Sequence, residues 1–345
     1  MKKLTLSLGL LLVTGGTFAP ATFAENAQAE SFINKGNQLL KSQKYKQALE
    51  AFREAVRLDP DNARAHQRLG ATLATLGEDD TAILESKTAI RLDSKYASPH
   101  SVLGKLYTNQ GKHEEAYKEF QKALDLKPNN AQHWFDFGIV CSVMGKHDEA
   151  IKALQTAIDK NPKEPTSHAQ LGLALAQKGR LKEAIEQEQE AIKLDPHLID
   201  ARLFLANFQA EAGETDQALG NYQTVLKHAP DQPIALSGYG WLLERKGNFK
   251  GAIAEQRKAI KASPKFAAAH RRLASALARS GQNGEANDSY QEAIKLAPND
   301  VIARVEYADY LKRNGKKDEA IAQIKKAMEI DPSLQKALED LKKTK

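Results

Sequence analysis

The stretch GKHEEAYKEFQKALDLKPNN, residues Gly111–Asn130, returns thirty-four residues later as GKHDEAIKALQTAIDKNPKE and again as GRLKEAIEQEQEAIKLDPHL. Each copy opens on glycine and closes near proline. Between them, apolar residues such as Ala116, Phe120, Ala123 and Leu124 recur at helical spacing. One amphipathic helix cannot bury its apolar face alone, so a phrase that recurs at a fixed interval implies helices stacked on their own copies. The prolines extend the grid: Pro60, Pro128, Pro162, Pro196, Pro230, Pro264, Pro298 and Pro332 keep the same register, and Ser94 fills the gap.

With proline at position 32, nine contiguous 34-residue units run from Ala29 to Leu334. Position 20 is alanine in all nine, position 27 is alanine except at Val225, and position 8 is always glycine or alanine. Small residues at these positions let helix axes approach closely. Larger ones would overpack by ~1–3 kcal/mol. Position 15 is glycine except at Gln43, which predicts a left-handed cap ending the first helix. Two helices per unit are expected, near positions 1–14 and 15–28. The last eleven residues, QKALEDLKKTK (335–345), are expected to form a capping helix that lays Ala337, Leu338 and Leu341 on the final unit.

The pattern resembles the tetratricopeptide repeat family. Residues 131–164 show it best, with Trp134, Phe137, Gly138, Gly145, Ala150, Ala157 and Pro162 at the signature positions. The resemblance implies an all-α fold, a right-handed superhelical solenoid of antiparallel helix pairs. It also implies a non-enzymatic scaffold that binds peptide segments or protein partners in a groove lined by the first helices.

The first 24 residues carry a different signal. A basic MKK is followed by the apolar run Leu4–Val13 and then by small residues ending at Ala24. The run is too short for a bilayer, which needs ~20 residues, and it has the order of a secretory signal. Cleavage after Ala24 is expected, with Ala21 and Ala29 as alternatives, 25–28 as a short linker, no membrane span in the mature chain, and bacterial export to the periplasm or the exterior. Lys2 and Lys3 supply two of the six net positive charges, so no concentrated basic stripe speaks for nucleic acid. Cys141 is the single cysteine, which rules out an intramolecular disulfide.

No Gly-rich phosphate loop, HExxH or nucleophile elbow occurs, so neither catalysis, a cofactor nor a metal is expected. The DPDN, KPNN and APND phrases fit turns between units. His66, His100, His168 and His270 all stand at position 4, where the family prefers a bulky apolar residue, and a packing role that tolerates leucine is expected.

In the family, positions 2, 5, 6, 9, 12 and 13 of the first helix face the groove. Here that set begins with Asn34, Asn37, Arg64 and Arg68, a secondary candidate site. A subfamily clamps carboxylates with lysine, asparagine and arginine at fixed positions; of Ile33, Asn37, Arg68, Ser98 and Val102 only Asn37 matches it. The principal candidate is later: Phe204, Asn207, Trp241, Arg245, Arg271, Arg272 and Arg279, with Leu203 also placed in the groove. Trp241 at position 9 reads either as an interface anchor ringed by arginines, suited to an apolar residue beside acidic ones, or as internal packing. The expected partner is a protein or peptide. The alternative is a self-associating organiser of an envelope assembly.

Overall fold

The computed structural model describes residues 19–343, and every regular element among them is a helix. The chain divides into two units, Met1–Asn161 and Pro162–Lys345. The first holds α1 (Ala19–Lys41), α2 (Tyr45–Leu58), α3 (Ala63–Leu76), α4 (Asp79–Leu92), α5 (Ala97–Asn109), α6 (His113–Leu126), α7 (Ala131–Val143) and α8 (His147–Lys160). The second holds α9 (Pro165–Gln177), α10 (Leu181–Leu194), α11 (Ile199–Ala212), α12 (Thr215–His228), α13 (Pro233–Arg245), α14 (Phe249–Ala262), α15 (Ala267–Arg279), α16 (Asn283–Leu296), α17 (Val301–Arg313) and α18 (Lys317–Met328). A 3-10 turn at Pro332–Leu334 then leads into α19 (Gln335–Lys343). Odd and even helices pair, and within each unit the odd helices of successive pairs lie side by side.

The glycine grid explains the pairing. Gly111 adopts φ +73° and its N–H donates to the Thr108 carbonyl, while the Lys112 N–H reaches back to the Tyr107 carbonyl at 2.8 Å. This closed cap reverses the chain within two or three residues. Gln43 holds the same left-handed conformation, at φ +56°, without glycine's freedom. The second helices begin at position 17 and, α18 excepted, end at 30, two residues later than expected, because positions 15 and 16 are spent on the cap. Proline at 32 therefore follows the helix end. Asn62 and Asp300 cap the next helix by accepting from the Ala65 and Ala303 N–H groups.

Close approach at position 8 is equally visible. A Cβ added at Gly36 or Gly104 would lie 2.5 to 2.9 Å from the Phe52 or Phe120 ring, the residue at position 24 of the same pair. That position carries a large core side chain in most pairs, but Ser86, Glu188 and Gln256 in three, all buried.

Position 4 is not a plain packing position. The His66, Trp134 and His270 rings each place an N–H on the carbonyl of the preceding turn proline, at 2.7 to 3.0 Å, and Arg304 does the same. His66 and His100 also meet Glu85 and Glu119 on the partner helix, at 2.5 and 2.6 Å. These side chains bind the turn and the second helix, rather than lining contacts between first helices. The tolerance of leucine expected at His100 is withdrawn, because Glu119 would lose its 2.6 Å imidazole partner and keep only the longer, 3.5 Å contact with Lys122.

Two terminal details differ from expectation. Residues 25–28 are part of continuous α1 rather than a linker. At the other end Leu338 and Leu341 join the core as foreseen, but Ala337 is exposed. Most of the secretory segment, residues 1–18, lies outside the described residues. Among those described, no helix is long and apolar enough to cross a membrane.

Candidate functional site

All seven principal candidates belong to the second unit. Phe204 and Asn207 stand on α11, Trp241 and Arg245 on α13, and Arg271, Arg272 and Arg279 on α15. The structure does not gather the four arginines around Trp241. Arg245 and Arg272 lie over its ring, with guanidinium carbons 5.1 and 5.5 Å from the centroid. Arg271 turns to α17, where it meets Glu306 at 2.6 Å and Asp300 at 3.8 Å. Arg279 turns to Glu244 at 3.2 Å and covers the Phe249 ring.

A thirty-five-residue offset governs these choices. Arg271–Glu306, Arg272–Ser237 and Arg279–Glu244 all join residues thirty-five apart. One repeat plus one residue brings side chains on adjacent first helices face to face. Glu244 and Glu306 were not singled out from the sequence. Their signal was available: Glu244 puts an acid at position 12, which is alanine in both neighbouring units, thirty-five residues before Arg279.

Trp241 is half-buried. It packs against a core of Leu203, Ala206, Tyr222, Val225 and Leu242, and turns the rest of its ring toward the two arginines. Leu203, placed in the groove from the sequence, is buried in that core. Phe204 stacks on Phe208 at 6.5 Å, and Asn207 accepts a 2.6 Å hydrogen bond from the Tyr222 hydroxyl.

Arg272 differs from its neighbours. It donates to the Ser237 hydroxyl at 3.1 Å and, among the described residues, has no ion-pair partner. Burial, followed by the adjacent Arg271, presses its pKa below the ordinary guanidinium value. A guanidinium does not discharge under such pressure. The charge is therefore held, partly desolvated, against an aromatic face.

The secondary candidates lie in the first unit. Asn34 and Arg64 are exposed, and Arg64 is paired with Glu30 at 3.0 Å. Asn37 and Arg68 are half-buried, and the Arg68 Nε has no hydrogen-bond partner. Lys105 reaches the buried Asp136 at 2.9 Å, the same idiom of a committed charge. Cys141 is fully buried, and burial, then Glu149, pushes its thiol up to about 12. It is not a nucleophile at neutral pH.

Comparison with known proteins agrees with this architecture. A family profile described as "Tetratricopeptide repeat" matches residues 166–330. A second, described as "TPR repeat", matches 36–77, 104–141 and 144–179. A curated TPR repeat-containing protein of Picosynechococcus is 34% identical over 62 residues, which is 18% of this chain and 16% of that protein's length. Among solved structures, PilF of Pseudomonas aeruginosa aligns with a TM-score of 0.56 at 20% identity, over 61% of this chain and 96% of that one. The Cut9–Hcn1 assembly of the APC/C aligns with a TM-score of 0.57 at 14% identity, over 93% and 97%. At these identities the likeness is one of fold.

Proposed function

Since the chain belongs to the tetratricopeptide repeat family, we propose that it is a non-enzymatic scaffold and that the first-helix face of its second unit binds a protein segment carrying an apolar residue beside acidic ones. One observation carries the site: the half-buried Arg272 lies on the Trp241 face without a carboxylate, while its neighbours Arg271 and Arg279 each have one. A partner carboxylate would complete the arginine, and an apolar side chain would cover the ring. Trp and Arg dominate binding hot spots for these reasons.

Export is part of the same proposal and rests on the order of residues 1–24. The mature chain is expected to begin at Glu25, and intact mass of the exported protein checks it. A mass retaining Met1 to Ala24 contradicts the proposal.

The site is tested by recovering partners from the native compartment with wild type, Trp241→Ala and Arg272→Ala, after circular dichroism has confirmed folding. Loss of the tryptophan should weaken capture by about thirtyfold, the equivalent of ~2 kcal/mol. Unchanged capture in both variants removes the site. A concentration-dependent mass in light scattering, insensitive to both substitutions, would favour self-association instead.

A further inference from the structure

Beside the tryptophan face lies a cavity of about 690 Å³, whose walls include Arg279, Tyr290, Glu306, Asp309, Tyr310 and Arg313. It opens where α17 packs more sparsely on α16 than α11, α13 and α15 pack on the helices before them. The Tyr290 and Tyr310 rings, 5.5 Å apart, form its inner wall, and the Tyr307 ring packs on both at 5.4 and 6.2 Å.

The charges along the wall are unequal in their commitments. Arg279 is already paired with Glu244, whose side chain is only 5% exposed. Glu306 uses Oε1 for Arg271, and its Oε2 has no hydrogen-bond partner. Asp309, one helical turn along α17 on the same face, is exposed and, among the described residues, forms no side-chain hydrogen bond or ion pair. Burial, and then the Glu306 and Glu244 carboxylates, raise the Tyr290 hydroxyl above its ordinary pKa. Arg313 stands exposed, four residues beyond Asp309.

We propose that this wedge receives the basic side chain, lysine or arginine, of the segment whose acidic and apolar residues meet Arg272 and Trp241. The ammonium or guanidinium would lie against the tyrosine rings and between the Glu306 and Asp309 carboxylates, where aromatic faces and acids attract the same cation. Arg272 and Glu306 occupy the same position on neighbouring first helices. Such helices lie ~8–10 Å apart, and an extended chain advances ~3.3 Å per residue. The basic residue therefore follows or precedes the acidic one by about three positions. The inference rests on the Trp241 reading for its partner, but the pocket itself can be tested alone.

The first measurement titrates the full isotope-labelled chain with n-butylammonium, and with 1-butanol and butyrate as neutral and anionic counterparts, following amide shifts at Ser275, Glu306 and Tyr310. Butylammonium should shift these amides saturably and the other two should not. Asp309→Asn should weaken it about three- to fivefold, the range of one exposed ion pair. Arg313→Ala should strengthen it, because a competing cation is removed. A preference for butyrate, no saturable shift, or weaker amine binding in Arg313→Ala overturns the pocket. The second measurement compares terminally blocked Glu-Leu-Gly-Lys with Glu-Leu-Gly-Gln by calorimetry. A lysine preference lost in Asp309→Asn but retained in the conservative Asp309→Glu supports the shared segment. Amine binding with no response of either peptide to Trp241→Ala keeps the pocket and rejects the tryptophan site. Equal binding of both peptides rejects the link between them.

Discussion

Glu188 on α10 is fully buried, and neither carboxylate oxygen has a hydrogen-bond partner. It faces Gly172 on α9, where an added Cβ would come within 2.6 Å of Oε1. Burial pushes its pKa up to about 9, so the folded chain holds a proton that the unfolded chain releases near 4.5. The folded state binds more protons, and stability falls as pH rises from the unfolded value toward the folded one. By pH 7 the loss is about 3 kcal/mol. Glu188→Gln should raise Tm at pH 8 and match wild type near pH 4. Gln256 shows the arrangement to be buildable, since at the same position it donates to the Ser237 carbonyl at 2.8 Å. A Tm difference independent of pH would contradict the buried acid. His66 works in the opposite sense. Both ring nitrogens meet acceptors, and the Glu85 hydrogen bond leads in raising its pKa above 6.5. Its contribution is complete below 6.5 and is lost as pH rises through the raised value. His66→Gln should flatten that part of the stability profile, and a profile unchanged by the substitution would count against a charged His66. None of these partners could be read from the sequence. Position 4 showed histidine and position 23 showed glutamate, but only the fold puts them at 2.5 Å.

Element boundaries were far more legible, because they depend on local backbone chemistry. Glycine at position 15 and proline at 32 gave the ends of first and second helices to within two residues. The one irregular cap supplies a test. Gln43 holds φ +56°, a conformation that costs a non-glycine residue ~1–2 kcal/mol. Gln43→Gly should stabilise the first helix pair by about 1 kcal/mol, after glycine's entropy in the unfolded chain is subtracted. Slower amide exchange in α1 and α2 would show it; faster exchange would mean that the glutamine side chain contributes something the backbone argument omits. At the other end, α19 covers the last pair through Leu338 and Leu341. Burying a leucine is worth ~1.5–3 kcal/mol. Removal of residues 335–345 should let α17 and α18 exchange first, as nearest-neighbour stacking requires. Uniform protection after truncation would deny the cap its role.

At the scale of the whole chain, repetition makes the few departures informative. Several charges on the first-helix faces are committed to a residue about one repeat away, as in Arg64–Glu30, Lys105–Asp136 and Arg271–Glu306. The sequence placed these residues on first helices, as the structure does, but it counted all four arginines as available to Trp241. The thirty-five-residue offset, visible only once first helices are laid side by side, removes two of them and leaves Arg272 and Arg245 on the ring. With fewer free charges, salt should act mainly through the association rate, as rim electrostatics do. The central claim is that Trp241 and Arg272 select a segment by an apolar residue beside an acid. The most direct measurement selects a random peptide library on the wild-type chain and on folded Trp241→Ala and Arg272→Ala chains, and sequences what each retains. Wild type should enrich apolar residues next to Asp or Glu, Trp241→Ala should lose the apolar preference, and Arg272→Ala should lose the acidic one. The same enriched sequences on all three chains, or no enrichment on wild type, would contradict the account.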